Sequence, residues 1–158
     1  MFRKMIAVKK AIPKEECLEL LKTAPRGVLS VIGDDGWPYG MPMNYWYNEE
    51  DNKIYFHSAK RGHRTDALMR ESKASFCVMD EGRVLEGDWA PTVRSVIVFG
   101  KIEFVEDQAL AVDLVRKLSY KYTSDEDFIE DEIRRFASGF RLFSMDVEHI
   151  TGKKVRES

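Results

Sequence analysis

The chain has 158 residues, 44% of them hydrophobic and 33% charged, with a formal net charge of −2. That length and balance fit a single globular domain over residues 1–158, with enough apolar content for a core, and exclude a disordered chain. The near-neutral charge gives no basis for nucleic acid as the main partner, and no apolar run approaches the ~18 residues that a membrane-spanning helix needs. Cys17 and Cys77 are the only cysteines and stand in no CxxC, so no disulfide framework is expected. With no signal peptide the chain reads as cytoplasmic, its thiols reduced. His57, His63 and His149 have no zinc-site spacing, and no metal is expected. Residues 1–10 carry Arg3, Lys4, Lys9 and Lys10 without an acid. Residues 123–132 carry Asp125, Glu126, Asp127, Glu130, Asp131 and Glu132 without a base. The simplest reading of both is solvated surface.

In chain order, Pro13 suits the first position of a helix that runs to about Thr23, with Cys17, Leu18, Leu20 and Leu21 inward. Arg26 to Ile32 is a short strand, and Gly33-Asp34-Asp35-Gly36 carries hairpin-turn chemistry. In the next strand, Tyr39 to Tyr47, residues Tyr39, Met41, Met43, Tyr45 and Tyr47 share one face, and Pro42 marks it as an edge or bulged strand. Lys53 to His57 is a strand, followed by a helix over about 63–71 in which Ala67, Leu68 and Met69 can face a core. Asp66 and Arg70 sit there at the spacing of a surface pair. Lys73 to Met79 is a strand with Cys77 buried, and residues 80–91 form a loop. Thr92 to Val105 is the longest strand, where Gly100 predicts a bulge or a barrel corner. Asp107 can cap a helix carrying Leu110, Leu114 and Leu118. A further helix at about 125–137 turns Phe128, Ile129, Ile133 and Phe136 inward. Arg141 to Val147 is the last strand, and a polar tail follows. Trp37, Trp46 and Trp89 read as packing residues. The sum is about six antiparallel strands in a Greek-key-like barrel with peripheral helices: a mainly β fold.

The stretch from Tyr55 to Leu68 concentrates the chemistry. A strand alternating Ile54 and Phe56 with Tyr55 and His57 passes into a helix through a turn holding Ser58, Lys60, Arg61, Gly62, His63 and Arg64. A helix N-terminus offers unpaired N–H groups and partial positive charge, and a hydroxyl and three cations beside it make a phosphate cradle. On charge alone the commoner explanation is a solvated basic turn. There is no GxGxxG and no Walker sequence.

Several stretches in one order carry a resemblance: Gly36-Trp37-Pro38-Tyr39 with Pro42-Met43-Asn44-Tyr45; Tyr55-Phe56-His57-Ser58-Ala59 with Gly62-His63-Arg64; Arg94 to Gly100; and Glu148 to Lys153. Together, over roughly residues 3–154, they resemble the pyridoxamine 5′-phosphate oxidase-like flavoproteins, and among them the nitroimidazole-resistance (Nim) type of flavin-nucleotide-binding protein. The resemblance implies an FMN-binding split β-barrel that pairs as a homodimer with flavin at the interface. It implies Ser58, Lys60 and Arg64 as phosphate contacts, with Ala59, Gly62 and His63 in the same turn, and Met43, Asn44, His57 and Ser95 bordering the ring system. His57 and His63 are both candidates for an active histidine. The implied activity is oxidoreductase chemistry on small acceptors such as nitroaromatics or quinones, with electrons from NAD(P)H. The alternative is a flavin-nucleotide or haem carrier without turnover. The tail differs from the basic substrate-binding end of the vitamin-forming oxidases, which argues against pyridoxamine phosphate as substrate.

Overall fold

A computed structural model describes residues 1–157. An N-terminal arm with one 3-10 turn (Val8–Lys10) leads into α1 (Lys14–Thr23). Pro13 stands just outside α1 as its cap residue; Cys17, Leu20 and Leu21 are buried. β1 (Arg26–Ile32) and β2 (Pro38–Asn44) pair across a turn in which Asp35 and Gly36 take positive φ, 54° and 76°. Then come β3 (Trp46–Asn48), β4 (Lys53–Ala59), α2 (His63–Arg70), β5 (Lys73–Met79), β6 (Arg83–Val84) and β7 (Pro91–Phe104). They are followed by α3 (Gln108–Tyr120), α4 (Glu126–Gly139), β8 (Phe140–Asp146) and β9 (His149–Arg156).

The strands run in the order β2-β1-β5-β7-β8-β4-β3, with β6 and β9 also on β7. Every pairing is antiparallel. The two ends of that order do not pair, so the barrel is split. β2 is one of the free edges, as Pro42 requires, since proline has no N–H for an outer neighbour. β7 spans the split: up to Lys101 it pairs with β5, and Ile102 to Phe104 pair with β8. Gly100 lies at this corner, where a Cβ would sit 1.7 Å from the Asp146 carbonyl oxygen. Two apolar clusters result. One fills the barrel and includes Met41, Met43, Tyr45, Ile54, Phe56, Phe76, Val96 and Phe143. The other joins the outer side of β4 and β8 to α3 and α4 through Tyr55, Leu114, Leu118, Ile129, Phe136 and Leu142.

Among the described residues nine strands form where hairpin punctuation indicates about six. The long Tyr39–Tyr47 run breaks at Tyr45, whose backbone N–H donates to the Tyr122 hydroxyl, and Tyr47 pairs instead with Ile54. The tail is not loose: β9 runs along β7 from Thr92↔Arg156 to Phe99↔His149. Its polar side chains hid a strand whose stability comes from backbone pairing. Several inward assignments also change. Phe128 and Met69 are exposed, because each lies at the margin of its helix's apolar stripe. Cys77 is half-buried, since it points to the outer face of β5. Trp37 and Trp89 are exposed, with the Arg156 guanidinium 5.3 Å above the Trp89 ring, and Trp46 packs stacked on Tyr55 at 5.5 Å. Arg70 bonds Asp34 at 2.7 Å across the β1–β2 turn rather than Asp66 on its own helix. Among the described residues, no helix is long and apolar enough to cross a membrane.

Candidate functional site

β4 delivers Ser58 to the end of the barrel, and the chain then turns sharply into α2. Gly62 makes the turn with φ 134°, a conformation that favours glycine, and nothing lies within 4 Å of where a Cβ would be. The turn is fastened by the Thr65 hydroxyl donating to the Ala59 carbonyl at 2.9 Å and by Asp66 N–H donating to the Gly62 carbonyl at 3.0 Å. The α2 start is braced against the first hairpin. His63 stacks on Tyr39 with centroids 4.1 Å apart, and its Nε2 lies 3.9 Å from the Asp34 carboxylate that also holds Arg70.

Arg64 points inward from the first turn of α2. Its Nη1 donates to the Ser58 hydroxyl at 3.3 Å and its Nε to the Met41 sulfur at 3.0 Å. The guanidinium is half-buried, and burial lowers its pKa from the ordinary arginine value. Among the described residues no carboxylate pairs with it. A half-buried cation whose protein partners are a hydroxyl and a thioether leaves most of its donors for an external anion.

Two hollows meet at Arg64. The smaller, about 170 Å³, is bordered by Tyr39, Ser58, Ala59, Arg61, Gly62, His63 and Arg64. The larger, about 470 Å³, is bordered by Arg26, Pro42, Met43, Asn44, His57 and Arg64. Met43, Asn44, His57, Ser58, Ala59, Gly62, His63 and Arg64 therefore border two neighbouring hollows that share Arg64. Lys60 is not among them: it is exposed, and its Nζ reaches the Ser138 carbonyl at 3.5 Å, so Arg61 is the second cation of the smaller hollow. Ser95 lies elsewhere, on β7 opposite Met79 and Lys153, and borders neither hollow. Arg26 and Tyr39 are additions. The Arg26↔Asn44 register, set by the length of the hairpin, brings the arginine in, and nothing in its sequence neighbourhood marks it.

His57 faces the helical layer. It borders the larger hollow on one side and, on the other, a cavity of about 40 Å³ with Val115, Leu118, Ser119, Glu132, Phe136 and Phe140. Burial lowers its pKa, with the Arg64 charge acting in the same direction and the Glu132 charge opposing.

No curated protein matches the chain in sequence. Solved structures do match in fold. A candidate 5-nitroimidazole antibiotic resistance protein from Bacteroides thetaiotaomicron is 21% identical with a TM-score of 0.77, over 91% of this chain and 86% of that one. A FAD-binding protein from Mesorhizobium loti is 20% identical with a TM-score of 0.66, over 92% of this chain and 97% of that one. A FAD and heme binding protein from Mycobacterium smegmatis is 18% identical with a TM-score of 0.71, over 94% of this chain and 74% of that one. At these identities the likeness is one of fold. The family model described as pyridoxamine 5′-phosphate oxidase matches residues 13–154, nearly the whole chain, and the protein belongs to that family.

Proposed function

We propose that this chain binds FMN and works as an oxidoreductase on small acceptors such as nitroaromatics or quinones, with electrons from NAD(P)H. The observation that carries the binding half is Arg64: half-buried, hydrogen-bonded to Ser58 and Met41, and without a carboxylate among the described residues. Desolvating a cation without a counter-charge costs stability, and a phosphate monoester restores the balance with several charge-assisted hydrogen bonds. The phosphate belongs in the smaller hollow, with Arg64, Arg61, Ser58 and the first N–H groups of α2. The ring system belongs in the larger one, against Met43, Asn44 and His57. The hollows are open, and in this reading a second copy of the chain covers them. FMN, when bound, supplies the two-electron chemistry. The protein supplies position, polarity and exclusion of water. The FAD-binding and heme-binding structures of similar fold support a flavin more than they support FMN over FAD.

The test separates phosphate from ring. Affinities of FMN and riboflavin are measured by flavin fluorescence quenching for wild type and Arg64→Ala. A charge-assisted hydrogen bond contributes roughly 1.5–3 kcal/mol, so FMN should lose about ten- to a hundredfold while riboflavin, already weak, changes little. Equal losses for both ligands would move Arg64 from the phosphate to the ring or the fold. Anaerobic bleaching of the bound flavin by NADH or NADPH then decides for turnover; a flavin that stays oxidised leaves a carrier.

A further inference from the structure

The His57 imidazole is a wall between two spaces. On one side is the open hollow it shares with Asn44, Arg26 and Arg64. On the other is the 40 Å³ cavity beneath α3 and α4, otherwise apolar except for the Ser119 hydroxyl and the Glu132 carboxylate. That volume has room for one or two waters between His57 and Glu132, while the Ser119 hydroxyl, which donates to the Val115 carbonyl at 2.9 Å, offers a lone pair only. Glu132 in turn is half-exposed on α4, its Oε1 accepting from Arg135 at 3.0 Å. A ring nitrogen, a water-sized polar gap and a carboxylate that reaches solvent thus lie in series.

We propose that Glu132, acting through water in this cavity, connects His57 to solvent and makes it a refillable proton donor to the hollow. The proton count is simple. Neutral His57, protonated on its hollow-facing nitrogen, takes a proton at the other nitrogen from the cavity water while Glu132 returns one to that water from solvent; the imidazolium then releases its hollow-facing proton, and rotation of the ring restores the starting tautomer. No electron moves along the path. Glu132 is a positioning residue, since it touches neither hollow nor ligand. The charged groups facing His57 are few: Glu132 from α4 favours its protonation and Arg64 from α2 opposes it, while Arg26 at the start of β1 shares the larger hollow. Ser119 is the polar group from α3, and Phe140 from β8 is apolar. The inference relies on the flavin reading only for what receives the proton.

Two measurements keep the two ideas apart. In the flavin-free protein, the His57 titration is followed by ring nitrogen NMR in wild type, Glu132→Gln and Glu130→Gln. Glu130 lies on the same helix but pairs with Arg116, so it serves as a charge-matched control. The expected result is a downward shift of the His57 midpoint in Glu132→Gln and none in Glu130→Gln. No shift in Glu132→Gln, or equal shifts in both, overturns the proposal. In the FMN-loaded protein, the flavin midpoint potential is recorded against pH. Its break should lie at the His57 midpoint and move with it in Glu132→Gln. A break that stays put overturns delivery to the hollow. If FMN does not bind wild type, the flavin reading falls, and the nitrogen titration still decides the His57–Glu132 connection.

Discussion

Lys121 shows how one side chain can carry a measurable pH signature. It follows α3, with its Nζ 3.5 Å from the centre of the Tyr45 ring and donating to the Ala24 carbonyl at 2.8 Å. Burial lowers its pKa from 10.5 to about 8. Between those values the unfolded chain holds a proton that the folded one releases, so stability rises with pH. Cys17 and Cys77, pushed above 9.0 by burial, act in the opposite sense at higher pH, as do the buried phenols of Tyr45 and Tyr55 above 10.0. His57, lowered from 6.5, acts below the window. The clear window is therefore pH 8 to 9. Urea denaturation midpoints should climb across it in wild type and lose that climb in Lys121→Met. An unchanged slope in the variant would mean that the ammonium is hydrated in the folded state.

At the scale of elements, β7 is the strand on which the fold turns. It is the shared member of both halves of the split barrel, and its change of partner happens where Gly100 passes the backbone of Asp146. Gly100→Ala places a methyl group against a main-chain carbonyl that cannot swing aside as a side chain would. The cost should be on the order of 3 kcal/mol, at the upper end for an overpacked core. Gly139→Ala, in the last turn of α4 with nothing within 4 Å of the new Cβ, should be neutral or slightly stabilising. Chemical denaturation of both variants checks this, and a Gly100→Ala protein as stable as wild type would show that β7 and β8 can separate there without loss. The helices need less from tertiary structure: Asp107 and Asp125 cap α3 and α4 by accepting from Leu110 and Phe128 N–H groups.

The whole molecule leaves apolar surface uncovered. Val28, Cys77 and Ile97 lie side by side across β1, β5 and β7 on the outer face, with Ile32, Met79 and Phe99 nearby, all exposed or half-exposed. Together with the open hollows at Arg64, this is the surface expected of a chain that pairs with itself. Light scattering should give twice the chain mass, and Ile97→Glu, a charge in the middle of that row, should give the single mass. A flavin-loaded wild-type monomer at micromolar concentration would refute the dimer.

Much of this was fixed by local chemistry. Alternation identified β1, β4, β5 and β8 almost to the residue, Asp107 marked α3 and apolar periodicity marked α4, and Pro42 and Gly100 announced an edge and a corner, because each of those features depends on a few neighbouring residues. The turn from Ser58 to Arg64 was legible for the same reason: its hydroxyl, glycine and cations are consecutive. What folding alone decided depends on partners distant in sequence. Lys60 and Arg64 are equally basic and four residues apart, yet only Arg64 turns in, because the first turn of α2 aims it at Ser58 and Met41 while Lys60 reaches toward the end of α4. β9 could not be seen because its stability comes from hydrogen bonds to β7, which are indifferent to its polar side chains. Register and helix docking set where Arg26, Ser95 and Glu132 lie: Arg26 beside Asn44 at the larger hollow, Ser95 across from Met79 away from both hollows, and Glu132 at the cavity behind His57, positions that no sequence spacing relates.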